Sequence, residues 1–415
     1  MSDTILDAVT SDPAAMGWMD GLPPAPDKRI LAARADHMRF PMTRYAFSHM
    51  REFVPSARVG RRTGTITELP RALRDDLDAV TFAPLGGDAQ MTWSESLAAN
   101  FTDGILVLHR GTVVYERWFG VTTPQTRHIA FSVTKSFFGT IAAMLIAEGK
   151  LDPGAPVLEY LPEVAGSGFA DATVRQVLDM TTALDYSEDY TDPNSGIGAF
   201  SNALGLTPRP PQYAGPTDMY GFIPAVKKLG THGEAFTYRT VNTEVLGWII
   251  ARIEGKRCHE VLSARLWQPL GMEGDADIVV DSAGMPFTGG GLCPVLADFA
   301  RMGEAMRLGG LVDGRQIIPA AVIADIRGGG DPAHFAKADF PLLRGWSYRG
   351  QWWVSHNAHG TFSGRGIHGQ TIHVDPAAEM TIARFASHPV AANGGNDPAS
   401  LPAYQALAEH LVRTS

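Results

Sequence analysis

Two hairpin patterns set far apart in the chain constrain its fold more than any other feature. The runs "ILVLH" and "TVVYERW", joined by "RG" (residues 105–118), place two β-rich stretches around a glycine turn. "QTIHV", "DPAAE" and "MTIARF" (residues 370–385) repeat the arrangement. The chain between them reads as helical over Val133–Ala147 and over residues 174–180, 243–253 and 259–266, with Gly-, Pro- and Asp-rich loops between. Strand-rich ends around a helical middle predict an α+β fold in which both hairpins share one antiparallel sheet. Residues 1–130 and 275–415 are expected to form a discontinuous sheet domain, and residues 131–274 a helical one. A cleft between such parts is a favourable place for a site. "TPRPPQYAGP" (residues 207–216) predicts an irregular surface loop, and residues 402–414 an amphipathic helix.

With 415 residues, 45% of them hydrophobic, the chain can build a large core. Charged residues are 19% and the formal net charge is −9. No Lys/Arg-rich block tracks a phosphate backbone, which argues against nucleic acid. "GRRTG" (residues 60–64) is the densest basic spot and reads as a solvated loop. The two cysteines, Cys258 and Cys293, form no CxxC and no disulfide framework, so buried thiols in a reduced compartment are expected. The opening "MSDTILDAVTSDPAAMGWMDG" lacks a signal peptide's apolar core, and no segment approaches the roughly 18 apolar residues of a membrane span. The reading is a soluble cytoplasmic protein.

"HIAFSVTKSFFGTIAAMLIAEGKLD" (residues 128–152) sets Lys135 in an apolar helix, three residues after Ser132. Buried ammonium groups are costly, and i,i+3 residues share a helix face. Nζ can therefore reach the serine hydroxyl, and desolvation lowers a lysine pKa toward the range of a useful base. The helix N-terminus favours a developing negative charge at the same place. By itself S-x-x-K is evenly balanced between this chemistry and chance.

Two further stretches bear on that site. Tyr238, in "AFTYRTVNTEVLGWI", stands at a turn before an apolar helix; with Lys135 as a neighbouring cation its phenol could shuttle a proton. Taken alone it reads more readily as a core tyrosine. "GTFSGRGIHGQT" (residues 360–371) is either a glycine-rich turn into a hairpin or a strand edge that donates an oxyanion hydrogen bond.

Together these segments resemble the serine β-lactamase (class C)/penicillin-binding-protein superfamily, and within it the 6-aminohexanoate-dimer hydrolases and family VIII carboxylesterases. "SVTKS", "EGKLDPGAPVLEYLPEVAGS", "VLDMTTALDYSEDYTDP", "YRTVNTEVLGWI", "GQWW" and "GIHGQ" carry the resemblance in order along most of the chain. It implies a β-lactamase/transpeptidase-like fold, an antiparallel sheet flanked by helices with a helical insertion. It implies Ser132 as the acylated nucleophile, Lys135 as its base, Tyr238 as the third catalytic residue, and the amides of Ser132 and Ile367 as the oxyanion hole. Tyr190 corresponds to a tyrosine that bonds the scissile amide nitrogen, and Trp353 to a residue lining the cleft. Asn242 is a candidate substrate-binding residue. Ser201 and Gly289 stand where the amide-active relatives have Asp and Asn.

The departures bear on substrate. Thr240 stands where Y-x-N would have its Asn, and Gly364-Arg365-Gly366 replaces K-T-G, which argues against an efficient β-lactamase. The expected activity is hydrolysis of linear amides and carboxylic esters. Alternatives are an esterase without useful amidase activity, a D-Ala-D-Ala peptidase or β-lactamase, or an idle binding protein on the same fold. No cofactor or metal is implied. The partner is a small molecule, with no nucleic acid or membrane, and a homodimer is a possible assembly. His368 is expected to be structural, His356 and His359 lack a third zinc ligand, and the acidic "SEDYTDP" reads as a solvated loop that could attract an amine. No G-x-S-x-G elbow supports an α/β-hydrolase.

Overall fold

A computed structural model describes residues 5–61 and 64–414; two residues of the basic "GRRTG", Arg62 and Thr63, lie outside the described residues. Seven strands form the main sheet: β1 Thr102–His109, β2 Thr112–Trp118, β3 Ser347–Arg349, β4 Trp352–Val354, β5 Phe362–Arg365, β6 Thr371–Asp375 and β7 Met380–Ala386. Their order is β3-β4-β5-β6-β7-β1-β2, antiparallel throughout. The two predicted hairpins are therefore neighbours, joined where β7 pairs with β1 and Ile382 lies opposite Val107. Arg110 and Gly111 take φ of 51° and 78°, the pair of positive angles that lets a two-residue turn follow the strand twist.

β1 is buried along its whole length, because helices cover both faces of the sheet. Its odd and even residues part as a strand's period of two requires. Ile105 and Val107 pack with Leu407 and Leu411, whereas Leu106 and Leu108 join the large core containing Phe299. Five helices frame the sheet and the site: α1 Val133–Ala147, α2 Gly196–Leu204, α3 Val241–Glu254, α4 Leu296–Arg307 and α5 Asp397–Arg413. Helix α4 lies close on the sheet because Gly303 has no side chain; a Cβ there would sit 2.5 Å from Thr381 Cγ2 and 2.8 Å from Ile372 Cγ2. Helix α1 is buried on all sides over Val133–Leu145, and Gly139 lets it press against the β3–β4 turn, with Gln351 Cβ 2.5 Å from where a Cβ would be.

Several local readings are corrected. Helix α5 begins at Asp397, a turn and a half before the predicted start, with Pro402 inside it. A proline cannot bond the carbonyl four residues back; the Leu85 N–H takes up the Pro398 carbonyl instead, at 2.8 Å. The helix expected over residues 174–180 covers only Val174–Leu178, opened by a Thr173/Gln176 capping box. The stretch 259–266 is a helix over Cys258–Leu262 followed by a wider turn at Ser263–Trp267. Helix α3 runs from Val241 to Glu254 rather than over 243–253. Helix α4, strands β3 and β4, and a small sheet of Ser56–Val59, Ala276–Val279 and Leu292–Cys293 were not anticipated. Among the described residues no helix is long and apolar enough to cross a membrane.

Candidate active site

Phe131 has φ of 41°, an uncommon angle for an aromatic residue, and it turns the chain into α1 so that Ser132 faces a cavity of about 920 Å³. Ser132 sits at the N-cap of α1 and its hydroxyl caps nothing. One turn on, Lys135 Nζ donates to Ser132 Oγ at 2.8 Å and to the Gly289 carbonyl at 2.5 Å. Lys135 is buried, and desolvation pushes its pKa down to about 8, with Glu188 and Glu244 pulling the other way. Burial thus prepares an amine that is partly neutral near physiological pH.

Tyr238 lies beside this pair, its ring centre 5.1 Å from Lys135 Nζ and Ser132 a hydrogen-bonding neighbour of its phenol. Burial pushes the phenol well above its ordinary value, so it rests protonated. The expected role of Lys135 in drawing that proton off is not what the electrostatics favour: desolvation outweighs the hydrogen bond to Ser132, and the phenol keeps its proton.

Gly366 brings the β5 end against the serine; a Cβ there would lie 3.1 Å from the Ser132 nitrogen. Ser132 and Ile367 both line the cavity. Neither backbone N–H has a protein acceptor among the described residues, whereas the flanking Gly366 and His368 N–H groups bond the Gln370 and Ala391 carbonyls. Tyr190, Ser201 (on α2) and Gly289 also line the cavity. The Tyr190 hydroxyl donates to Glu188 Oε2 at 2.8 Å, and the ring is exposed.

Other predicted residues stand elsewhere. Trp353 does not line the cavity; it is buried behind Tyr238, stacked on it with ring centres 5.5 Å apart at 28°. Asn242 points into the core, where its Oδ1 accepts from Thr182 Oγ1 at 2.9 Å and its Nδ2 faces Met180 Sδ. Asn242, in the first turn of α3, faces the helix's packed side, which the Asn-after-Tyr spacing could not reveal. His368 turns away from Ser132, bonding the His388 carbonyl at 2.7 Å, and burial lowers its pKa to about 4. His356 bonds Ser347 and His359 bonds Asp375. Arg365 is occupied by an ion pair to Asp397 and by the rings of Trp346 and Trp353. Cys258 and Cys293 are buried free thiols.

Two carboxylates at the site escaped the sequence reading. Glu188, within the loop read as solvated, is instead held by the Thr240 N–H at the start of α3 and by the Tyr190 hydroxyl; burial raises its pKa. Its acidic neighbours hid it. Glu244 is fully buried in α3 and accepts from the Gly289 N–H at 2.7 Å and from Thr288; burial raises its pKa to about 7. A lone acid among "VLGWII" was a usable signal.

A sequence profile described as Beta-lactamase matches residues 96–404. The chain belongs to the beta-lactamase family. Among its beta-lactamase-family relatives is a 6-aminohexanoate-dimer hydrolase of Paenarthrobacter ureafaciens, 36% identical over 350 residues, which are 84% of this chain and 86% of that one. A solved structure from Bacillus anthracis, named provisionally as a 6-aminohexanoate-dimer hydrolase, is 30% identical with a TM-score of 0.85, covering 94% of this chain and 99% of that one. A family VIII carboxylesterase shares the beta-lactamase fold at 17% identity and a TM-score of 0.57, covering 76% of this chain and 96% of its own. The sheet with its flanking and inserted helices is thus the β-lactamase/penicillin-binding-protein fold that the motif order implied.

Proposed function

We propose that this protein is a serine hydrolase of linear amides and carboxylic esters that works through an acyl-enzyme on Ser132. The observation that carries this reading is the 2.8 Å contact between Ser132 Oγ and a buried Lys135 whose pKa is lowered to about 8. At pH 7 roughly a tenth of such a lysine is neutral and able to take the serine proton.

Ser132 Oγ attacks the substrate carbonyl carbon as its proton passes to Lys135 Nζ. The carbonyl oxygen takes up the negative charge beside the unpaired Ser132 and Ile367 amides and the N-terminus of α1. As the tetrahedral intermediate collapses, the bond to the leaving group breaks and the protonated Tyr238 supplies its proton. Lys135 returns a proton to Tyr238. Water then attacks the acyl carbon, giving a proton to Lys135, and the acid leaves as Ser132 is reprotonated.

Esters are the easier substrates, since an alkoxide leaves more readily than an amine. Tyr190, which lines the cavity, favours additional amide activity, as does the likeness to 6-aminohexanoate-dimer hydrolases. Arg365 is buried away from the cavity that Ser132 lines and presents no cation there for a β-lactam carboxylate, which disfavours the penicillin-directed alternatives. Ser132→Ala is expected to abolish p-nitrophenyl ester turnover and labelling by a fluorophosphonate in intact mass. Turnover retained by that variant would overturn the assignment.

A further inference from the structure

Behind the strand that brings Ile367 to Ser132 lies a small polar cavity with about 10 Å³ open to the centre of a water-sized particle, room for one. It sits between β5, β7 and the first turns of α5. Two arginines meet there. Arg365 pairs with Asp397, but its Nη1 is buried without a partner. Arg384 is buried too, and its bonds all go to neutral groups: the Gly369 carbonyl at 2.9 Å, Ser400 Oγ at 2.9 Å and Asn396 Oδ1 at 3.5 Å. No carboxylate lies within ion-pair distance of it among the described residues. Tyr404, whose ring covers the Arg384 guanidinium at 5.7 Å, has a buried hydroxyl with no partner.

The charges there are two guanidinium groups against one carboxylate, all nearly sealed from solvent. An uncompensated buried charge is among the most costly arrangements in a protein. The N-terminus of α5 adds a further positive end at Asp397. A neutral water would satisfy the open donors but leave the charge unbalanced; a small anion does both.

We propose that this cavity binds one monovalent anion of halide size, held by Arg365 Nη1, the Tyr404 hydroxyl and the Arg384 guanidinium. The bound anion has a route to the active site. Arg384 holds the Gly369 carbonyl at the end of the turn Ile367–Gly369, and Arg365 is two residues before Ile367. Filling the cavity therefore fixes the segment that carries the Ile367 amide.

The test uses the full chain in sodium chloride or bromide against sodium gluconate at equal ionic strength. Crystals in sodium bromide are expected to show an anomalous peak between Arg365, Arg384 and Tyr404. Thermal unfolding is expected to shift upward with halide and to saturate; at 100 mM, a site with a Kd of roughly 10 mM multiplies the folded-to-unfolded ratio about elevenfold. Tyr404→Phe deletes a hydroxyl that no protein group uses, so it should fold and melt normally in gluconate while losing most of the halide shift. A water without anomalous signal in the cavity, identical melting in both salts, or an equal halide shift in Tyr404→Phe would each overturn the proposal.

Discussion

Glu244 accepts the Gly289 N–H at 2.7 Å, and the carbonyl of the same glycine, one peptide on, receives Lys135 Nζ. A buried acid and the proposed base are thus linked through one glycine, packed so closely that a Cβ would lie 2.7 Å from Thr240 Cγ2 and 2.8 Å from Glu244 Oε1. Gly289→Ala is expected to destabilise the fold by about 1–3 kcal/mol and to lower ester turnover by displacing the lysine's acceptor. Chemical denaturation and kcat on a p-nitrophenyl ester measure the two effects; a variant with unchanged stability would show that the packing is slack.

The base must be neutral to accept the serine proton, so kcat/KM for an ester should rise with pH along a limb centred near pH 8, the value to which burial lowers Lys135. The charge of Glu244 raises that value, and Glu244→Gln should therefore move the limb to lower pH. A limb that stays put in the variant would separate Glu244 from the base.

Stability carries a second signature of the same acid. Glu244 titrates near 7 when folded against 4.5 for an ordinary glutamate, so the unfolded state releases its proton first. Stability is then lost as pH rises from about 4.5 to 7, by about 3 kcal/mol from this group. Measured by urea denaturation at several pH values, the wild-type minus Glu244→Gln difference should fall across that window and level off above it. A difference independent of pH would show that the carboxyl titrates normally.

Tyr190 lines the cavity with its hydroxyl on Glu188, and a leaving amine depends more on a hydrogen-bond partner there than a p-nitrophenolate does. Tyr190→Phe should reduce kcat/KM for the linear 6-aminohexanoate dimer at least tenfold more than for a p-nitrophenyl ester, the scale of one lost hydrogen bond in a partly closed site. Equal losses would remove the basis for the amidase reading.

Trp353 acts on Tyr238 from behind. Trp353→Phe retains a ring but shortens the surface on which the phenol stacks, so kcat should fall while KM changes little. Trp353→Ala should cost about 3–5 kcal/mol of stability, as for other buried aromatics. A rise in KM with unchanged kcat would instead point to direct substrate contact.

What could be read from the sequence follows the range of the interactions involved. The Val133–Ala147 helix rests on a long apolar run and the two hairpins on local alternation and turn chemistry, and they form where predicted. Helix α4 carries its polar residues Asp298, Arg301, Glu304 and Arg307 at helical spacing, a period that was present in the sequence and went unread. Strands β3 and β4 are three residues each, too short for a period to emerge. Ser132 and Lys135 were legible as an i,i+3 pair. Glu188, Trp353 and Asn242 were misread because what each touches is set by chain tens to hundreds of residues away: Thr240, Tyr238 and Thr182.

The pairing of β7 with β1 also has a consequence in time. During synthesis the segment bearing Ser132 and Lys135 leaves the ribosome long before β5, β6 and β7 exist. Hairpin β1–β2 must wait with one edge open, and sheets closed by such distant partners assemble slowly. The nascent chain thus holds the proposed nucleophile and base with no Ile367 amide beside them. On the proposed mechanism, hydrolytic competence waits for β5, β6 and β7, so a copy cut short before them has little chance of attacking esters around it.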